Sequence, residues 1–185
     1  MTKPWEVYLK ETLIAEDVLK EKIEALGAEI SADYEGKDLL LICILKGGVL
    51  FLTDLMRQIT IPHEIDFLAV SSYGRESRES TGVVRILKDL DEPIEGRHIL
   101  IVEDIIDTGH TLDYITRNLN ARDPSSVKIC TLLDKAERRE VEIPVDYVGF
   151  TIPDKFVFGY GLDLDEKFRE LPFVGVVNQD MFFGE

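Results

Sequence analysis

Cysteine is almost absent from this 185-residue chain: Cys43 and Cys130 are the only two, and neither has a second thiol near it in sequence. That spacing offers no cysteine metal site and no redox pair. Each lies within an apolar, strand-like run, so both are expected as buried structural thiols. Basic residues are also scarce, with 21 Lys and Arg against 36 Asp and Glu and a formal charge of −15. Such a balance disfavours non-specific attraction to nucleic acid or an anionic membrane, and any polyanionic ligand must meet a local basic pocket. No apolar run reaches the length of a membrane span, and the N-terminus shows no basic, apolar, small-residue signal pattern. The expectation is therefore a cytoplasmic protein with neither a membrane nor a nucleic-acid partner. A Walker loop and a full G-x-G-x-x-G are missing too; Gly159-Tyr160-Gly161 lacks the third glycine and the strand-to-helix setting. Kinase-like and dinucleotide-binding readings lose their main support.

What is present reads as one soluble domain, 1–185, with a small appended lobe. Hydrophobic residues at 45% and charged residues at 31% place it among globular rather than disordered proteins. Val18, Leu19, Ile23, Leu26 and Ile30 recur at helical intervals and predict an amphipathic helix over 15–34. An apolar strand over 39–45, the turn Lys46-Gly47-Gly48 and a helix over 49–59 follow. Further strands are predicted at 65–71, 83–87, 98–102, 127–133 and 147–150, with a helix over 112–119. This is an α/β rhythm, a mostly parallel sheet flanked by helices, and such sheets bind ligands beyond the carboxyl ends of their strands. Three turns lie at such ends: Lys46-Gly47-Gly48, the acidic run from Glu103, and Asp134-Lys135.

The run over 101–112, Ile-Val-Glu-Asp-Ile-Ile-Asp-Thr-Gly-His-Thr-Leu, is the most informative of these. A tight turn of Asp107, Thr108, Gly109, His110 and Thr111 feeds a helix N-terminus, where unpaired backbone N–H groups and the helix dipole favour a phosphate without any lysine. Glu103 and Asp104 can accept hydrogen bonds from sugar hydroxyls, and Asp107 faces whatever reacts, a division that suits a ribose phosphate. An acidic surface turn with a capping residue is the competing reading. Lys46 and the glycines beside it suit a diphosphate, or an ordinary strand-to-helix turn. The polar stretch beginning Ser71-Ser72-Tyr73-Gly74 and reaching Gly82 is long for a strand connection and reads as a lid, or as a hairpin that is merely long.

The order of these segments resembles the type I purine phosphoribosyltransferases, in their bacterial hypoxanthine-guanine form, from about residue 15 to about residue 177. Enzymes of that family join a free base to phosphoribosyl pyrophosphate (PRPP). The resemblance implies a type I phosphoribosyltransferase fold with a small base-binding hood at about 150–185. It assigns the ribose to Glu103 and Asp104, the 5′-phosphate to 107–111, and the diphosphate to Lys46, Gly47 and Arg169. Ser72 and Tyr73 fall on the closing loop. In the family the peptide before the lysine is cis, which the residues Leu45-Lys46 do not themselves reveal. Lys135 is implied to bond the exocyclic oxygen of a 6-oxopurine, Phe156 to stack on it, and Val157 to contact its edge through the backbone. Asp163 belongs to the same base-side segment and is implied to reach a Mg²⁺ near the diphosphate, with Glu103 and Asp104 as further carboxylates. Read singly, Phe156 is a core aromatic, Asp163 a surface carboxylate and Arg169 a surface ion pair.

The implied reaction is hypoxanthine or guanine plus PRPP giving IMP or GMP and pyrophosphate, with Asp107 as proton acceptor at purine N7, and the implied assembly a homodimer or homotetramer. His110 stands where many relatives carry lysine or another residue and is expected on the solvent side, not as a catalyst. Two alternatives stay open from residues alone. One is a phosphoribosyltransferase for xanthine, adenine or uracil; the other is a PRPP-sensing regulator that binds RNA or DNA, for which the chain offers no basic face.

Overall fold

The computed structural model describes residues 3–72 and 84–184. Strand β1 (Leu9–Ile14) leads into helix α1 (Glu16–Asp33), followed by β2 (Leu39–Leu45), α2 (Val49–Gln58), β3 (His63–Ser72) and β4 (Val84–Lys88). Next come β5 (His98–Ile106), α3 (His110–Asn120), β6 (Ser126–Asp134) and β7 (Tyr147–Thr151). The chain closes with β8 (Val157–Phe158), β9 (Val174–Val177) and α4 (Gln179–Phe183).

Six strands form the main sheet in the order β4-β3-β2-β5-β6-β7. All neighbours are parallel except β4, which returns antiparallel on β3 at the edge. Strand β2 explains why the sequence shows an unbroken apolar run. Leu39, Leu41 and Cys43 point into a core shared with α1 and α2, whereas Leu40, Ile42 and Ile44 point into a second core under α3 with Leu112, Ile115 and Leu119. A strand covered on both faces has no polar side to alternate with. Cys43 and Cys130 are free and buried, as expected, and burial pushes the Cys43 thiol up to about 12.

Strand β5, all three strands of the smaller sheet and the short helix α4 depart from the sequence reading. Strand β5 does not stop at Val102 but pairs with β6 as far as Ile106↔Asp134, because the ladder carries the backbone on through residues whose side chains are polar. Strand β1 was not expected at all. Its Lys-Glu-Thr segment is exposed and lacks an apolar period, and it is held by antiparallel pairing to β9 in a separate three-stranded sheet of order β1-β9-β8. A small core of Phe158, Leu164, Leu171 and Val177, with Trp5, Tyr8 and Phe168 around it, packs that sheet.

Candidate active site

From β2 the chain crosses to β3 on one side, and from β5 it crosses to β6 on the other, so the sheet's direction of winding reverses between β2 and β5. A crevice opens at such a point beyond the strands' carboxyl ends. The turns after β2 and β5 are Lys46-Gly47-Gly48 and Asp107-Thr108-Gly109, and the Leu45–Lys46 peptide at the first is cis.

The loop after β5 is braced from behind. The Thr108 carbonyl accepts the Glu140 and Val141 amides at 3.0 and 3.2 Å, and the Asp107 carbonyl accepts Arg139 Nη1 at 3.3 Å. With those carbonyls engaged by the neighbouring segment, the loop's N–H groups and the uncapped start of α3 are left for a ligand. Gly109 makes the reversal at φ +92°, and a side chain there would meet Val141 O at 3.2 Å. The result is a cleft of about 140 Å³ lined by Glu103, Ile105, Asp107, Thr108, Gly109 and Thr111. His110 sits at its solvent edge, with Nε2 2.8 Å from Glu140 Oε2.

Glu103 and Asp104 belong to β5 and not to the turn, which corrects the sequence reading. Glu103 lines the cleft before α3, and its side chain stays close enough to Asp104 to interact with it. Asp104 lies against the β2 turn, and a Cβ on Gly47 would overlap its Oδ2. Burial pushes Asp104 up to about 6, against the pull of the Ile105 and Asp104 backbone amides and of Arg169. Burial first, and the neighbouring Asp104 second, hold Glu103 well above the usual carboxylate range. The Glu103 Oε2 atom is enclosed and has no hydrogen-bond partner. An orphaned acceptor of this kind marks a place where a ligand donor or a cation completes the structure.

Around the β2 turn the cations are held by acids. Lys46 Nζ pairs with Glu166 Oε2 at 2.7 Å. Arg169 Nη2 lies 2.9 Å from Asp163 Oδ1 and 3.4 Å from Glu166 Oε2, while its Nη1 donates to the Gly161 carbonyl at 2.8 Å. Gly161, at φ +96°, rests directly on the Gly47 carbonyl, so the loop before β9 leans on the β2 turn. Lys46, Gly47 and Arg169 are thus brought together, and Asp163 joins them through Arg169. Among the described residues no group of three or more His, Cys, Asp or Glu forms a metal cage. The oxygen-only donors Glu103, Asp104 and Asp163 instead fit a hard cation that takes most of its ligands from substrate and water.

Lys135 follows β6 and lies beside Asp107, its amide donating to Ile106 O at 2.9 Å. It is buried, with Nζ 3.3 Å from Asp154 Oδ1. Phe156 is 38% exposed and not a core aromatic. Its ring stacks on Phe183 at 6.2 Å and meets Phe182 edge-on at 6.1 Å. Val157 is buried in β8, paired with Val176. Ser72 ends β3; Tyr73 and the rest of the expected lid lie outside the described residues. Sequence reasoning missed Arg138, Arg139, Asp154 and Glu166. A double arginine just beyond a strand-end lysine, in a chain short of cations, was the one available signal.

The fold and this crevice define a phosphate-handling α/β protein, and the phosphoribosyl transferase domain family matches residues 13–167. The chain belongs to the phosphoribosyltransferase family. Within that family it is 47% identical to a hypoxanthine-guanine phosphoribosyltransferase of Mycobacterium avium, over 97% of this chain and 93% of the relative. It is 49% identical to a hypoxanthine phosphoribosyltransferase of Salmonella typhimurium, over 90% and 94%. A crystal structure of a hypoxanthine phosphoribosyltransferase from Staphylococcus aureus superposes with a TM-score of 0.94 at 44% identity, covering 98% of both chains.

Proposed function

We propose that this chain transfers the phosphoribosyl group of PRPP to hypoxanthine or guanine, giving IMP or GMP and pyrophosphate, as a step of purine salvage. The observation that carries the reading is the convergence at one switch point of the braced loop at 107–111, the Lys46-Gly47 turn and the Asp107–Lys135 neighbourhood. Two of these suit the ends of a phosphorylated sugar diphosphate, and the third suits a base between them.

The loop N–H groups and the hydroxyls of Thr108 and Thr111 hold the 5′-phosphate. Glu103 and Asp104 take the ribose hydroxyls, and their charge favours positive character at C1′. Lys46, Gly47 and Arg169 receive the diphosphate. Asp163, Glu103 and Asp104 are the carboxylates that would hold Mg²⁺, which when bound would neutralise that leaving group. Lys135 donates to the exocyclic oxygen of a 6-oxopurine, whereas adenine would set a donor against a donor at about 1–3 kcal/mol. Phe156 supplies the stacking face, Val157 the backbone edge, and the three-stranded sheet with its loops the base-binding lobe. Asp107 accepts the proton from N7 as N9 forms its bond to C1′ and the bond from C1′ to the diphosphate oxygen breaks.

Chromatography of products from PRPP, Mg²⁺ and separate hypoxanthine, guanine, xanthine, adenine and uracil reactions tests this. IMP and GMP are expected, with no AMP or UMP. PRPP binding without product from any base would overturn the assignment. Light scattering tests the accompanying proposal of a homodimer or homotetramer.

A further inference from the structure

Between Asp107 and Lys135 lie two side chains to which the proposed chemistry gives no role. Arg138 closes a 3-10 turn, Ala136–Arg138, that starts immediately after Lys135. Its Nε donates to Asp107 Oδ1 at 3.0 Å, and its Nη1 donates to Asp154 Oδ2 at 3.3 Å. The other Asp154 oxygen, Oδ1, accepts Lys135 Nζ at 3.3 Å. The four residues therefore form one chain, Asp107 to Arg138 to Asp154 to Lys135, whose two ends are the groups assigned to N7 and the exocyclic oxygen of the base. These two purine atoms sit on adjoining rings at a fixed separation, so a carboxylate and an ammonium that wandered independently would seldom engage both.

We propose that Arg138 is a positioning residue for the transfer. Its planar fork, together with Asp154, sets the Asp107 carboxylate and the Lys135 ammonium in register for a single purine ring. With Oδ1 committed to Arg138, proton acceptance from the base falls to Oδ2. About half of the Arg138 side chain is exposed, so screening leaves the ion pairs little direct weight in stability, and the effect of the residue is geometric. Lysine is no substitute, because a single ammonium lacks the two separated donors that reach Asp107 and Asp154 together.

The inference rests on the roles proposed for Asp107 and Lys135. Steady-state kinetics with hypoxanthine and PRPP test it on Arg138→Ala, Arg138→Lys, Asp154→Asn and the double variant Arg138→Ala/Asp154→Asn, with melting curves recorded for each. Arg138→Ala and Asp154→Asn are each expected to lower kcat about tenfold, the worth of one charge-assisted hydrogen bond, and to leave KM for PRPP within about twofold. The double variant should fall no further than the worse single one, since both interrupt the same chain. Arg138→Lys should not recover the parent kcat. Unchanged kcat in Arg138→Ala, additive losses in the double variant, or full activity in Arg138→Lys would each overturn the proposal. Asp107→Asn separates the two levels. If it keeps its kcat, the proton-acceptor reading itself fails; if it loses kcat while Arg138→Ala does not, only the role of Arg138 falls.

Discussion

Asp104 and Glu103 show how a site residue can work against the fold that carries it. Both carboxyls have pKa values raised chiefly by burial. A carboxyl raised in the folded state contributes stability that is complete below its unfolded value, about 4, and is lost as pH climbs through the folded value. For Asp104 that window runs from about 4 to about 6. At pH 8 the unliganded protein therefore holds the Asp104 carboxylate ionised where burial disfavours charge. Asp104→Asn keeps the shape against Gly47 and removes the titration. It should raise stability at pH 8 by about 1–3 kcal/mol, leave it near the parent at pH 4, and depress activity. Melting curves at the two pH values check this; a variant less stable at pH 8 would refute it. The importance of these residues was legible from their types and order, whereas the unpartnered oxygen and the burial of both carboxyls were not. Arg138, Asp154 and Glu166 escaped for a related reason. Their meaning lies in partners such as Asp107 and Lys46, far away in the chain, and exposed charges carry no period to betray them.

At the scale of elements, hydrophobic period identified every strand of the main sheet and the helices α1, α2 and α3, because those elements bury continuous apolar surface. It failed at β1 and at the polar end of β5, where ladder pairing and not burial maintains the strand, and at β8, β9 and α4, which are too short to show a period. The join between the two sheets was equally hidden. It includes the Gly161 contact on Gly47, the Tyr160 hydroxyl donating to Asp54 Oδ2 on α2 at 2.6 Å, and the packing of Ile14, Val157, Val174 and Val176 into the core with α1 and α2. Two glycines of positive φ separate backbone strain from this contact. Gly36, at +73°, has open space around its Cβ position, whereas Gly161 faces the carbonyl of the β2 turn. Gly36→Ala should cost about 1–2 kcal/mol of stability and leave KM for PRPP unchanged. Gly161→Ala should add about 1–3 kcal/mol of overlap to that and raise KM for PRPP as well. Equal effects of the two on KM would show that the contact does not shape the diphosphate turn.

For the whole molecule, the charge of −15 confines attraction for anions to the few cations gathered at the crevice. Among the described residues no helix is long and apolar enough to cross a membrane. Filter binding to a mixed-sequence RNA at about 50 mM salt should show no retention, because a net charge of −15 repels the phosphate backbone instead of displacing its condensed counterions. Affinity that fell steeply with added salt would favour a regulator over an enzyme. The pairing of β1 with β9 has a consequence in time. Strands β2, β5 and β6 are complete long before Val174 is made, yet Leu9–Ile14 must wait for that residue to find its partner. During synthesis β1 therefore stays an unpaired edge until β9 appears. The main sheet can therefore order before the strand that closes the small sheet exists.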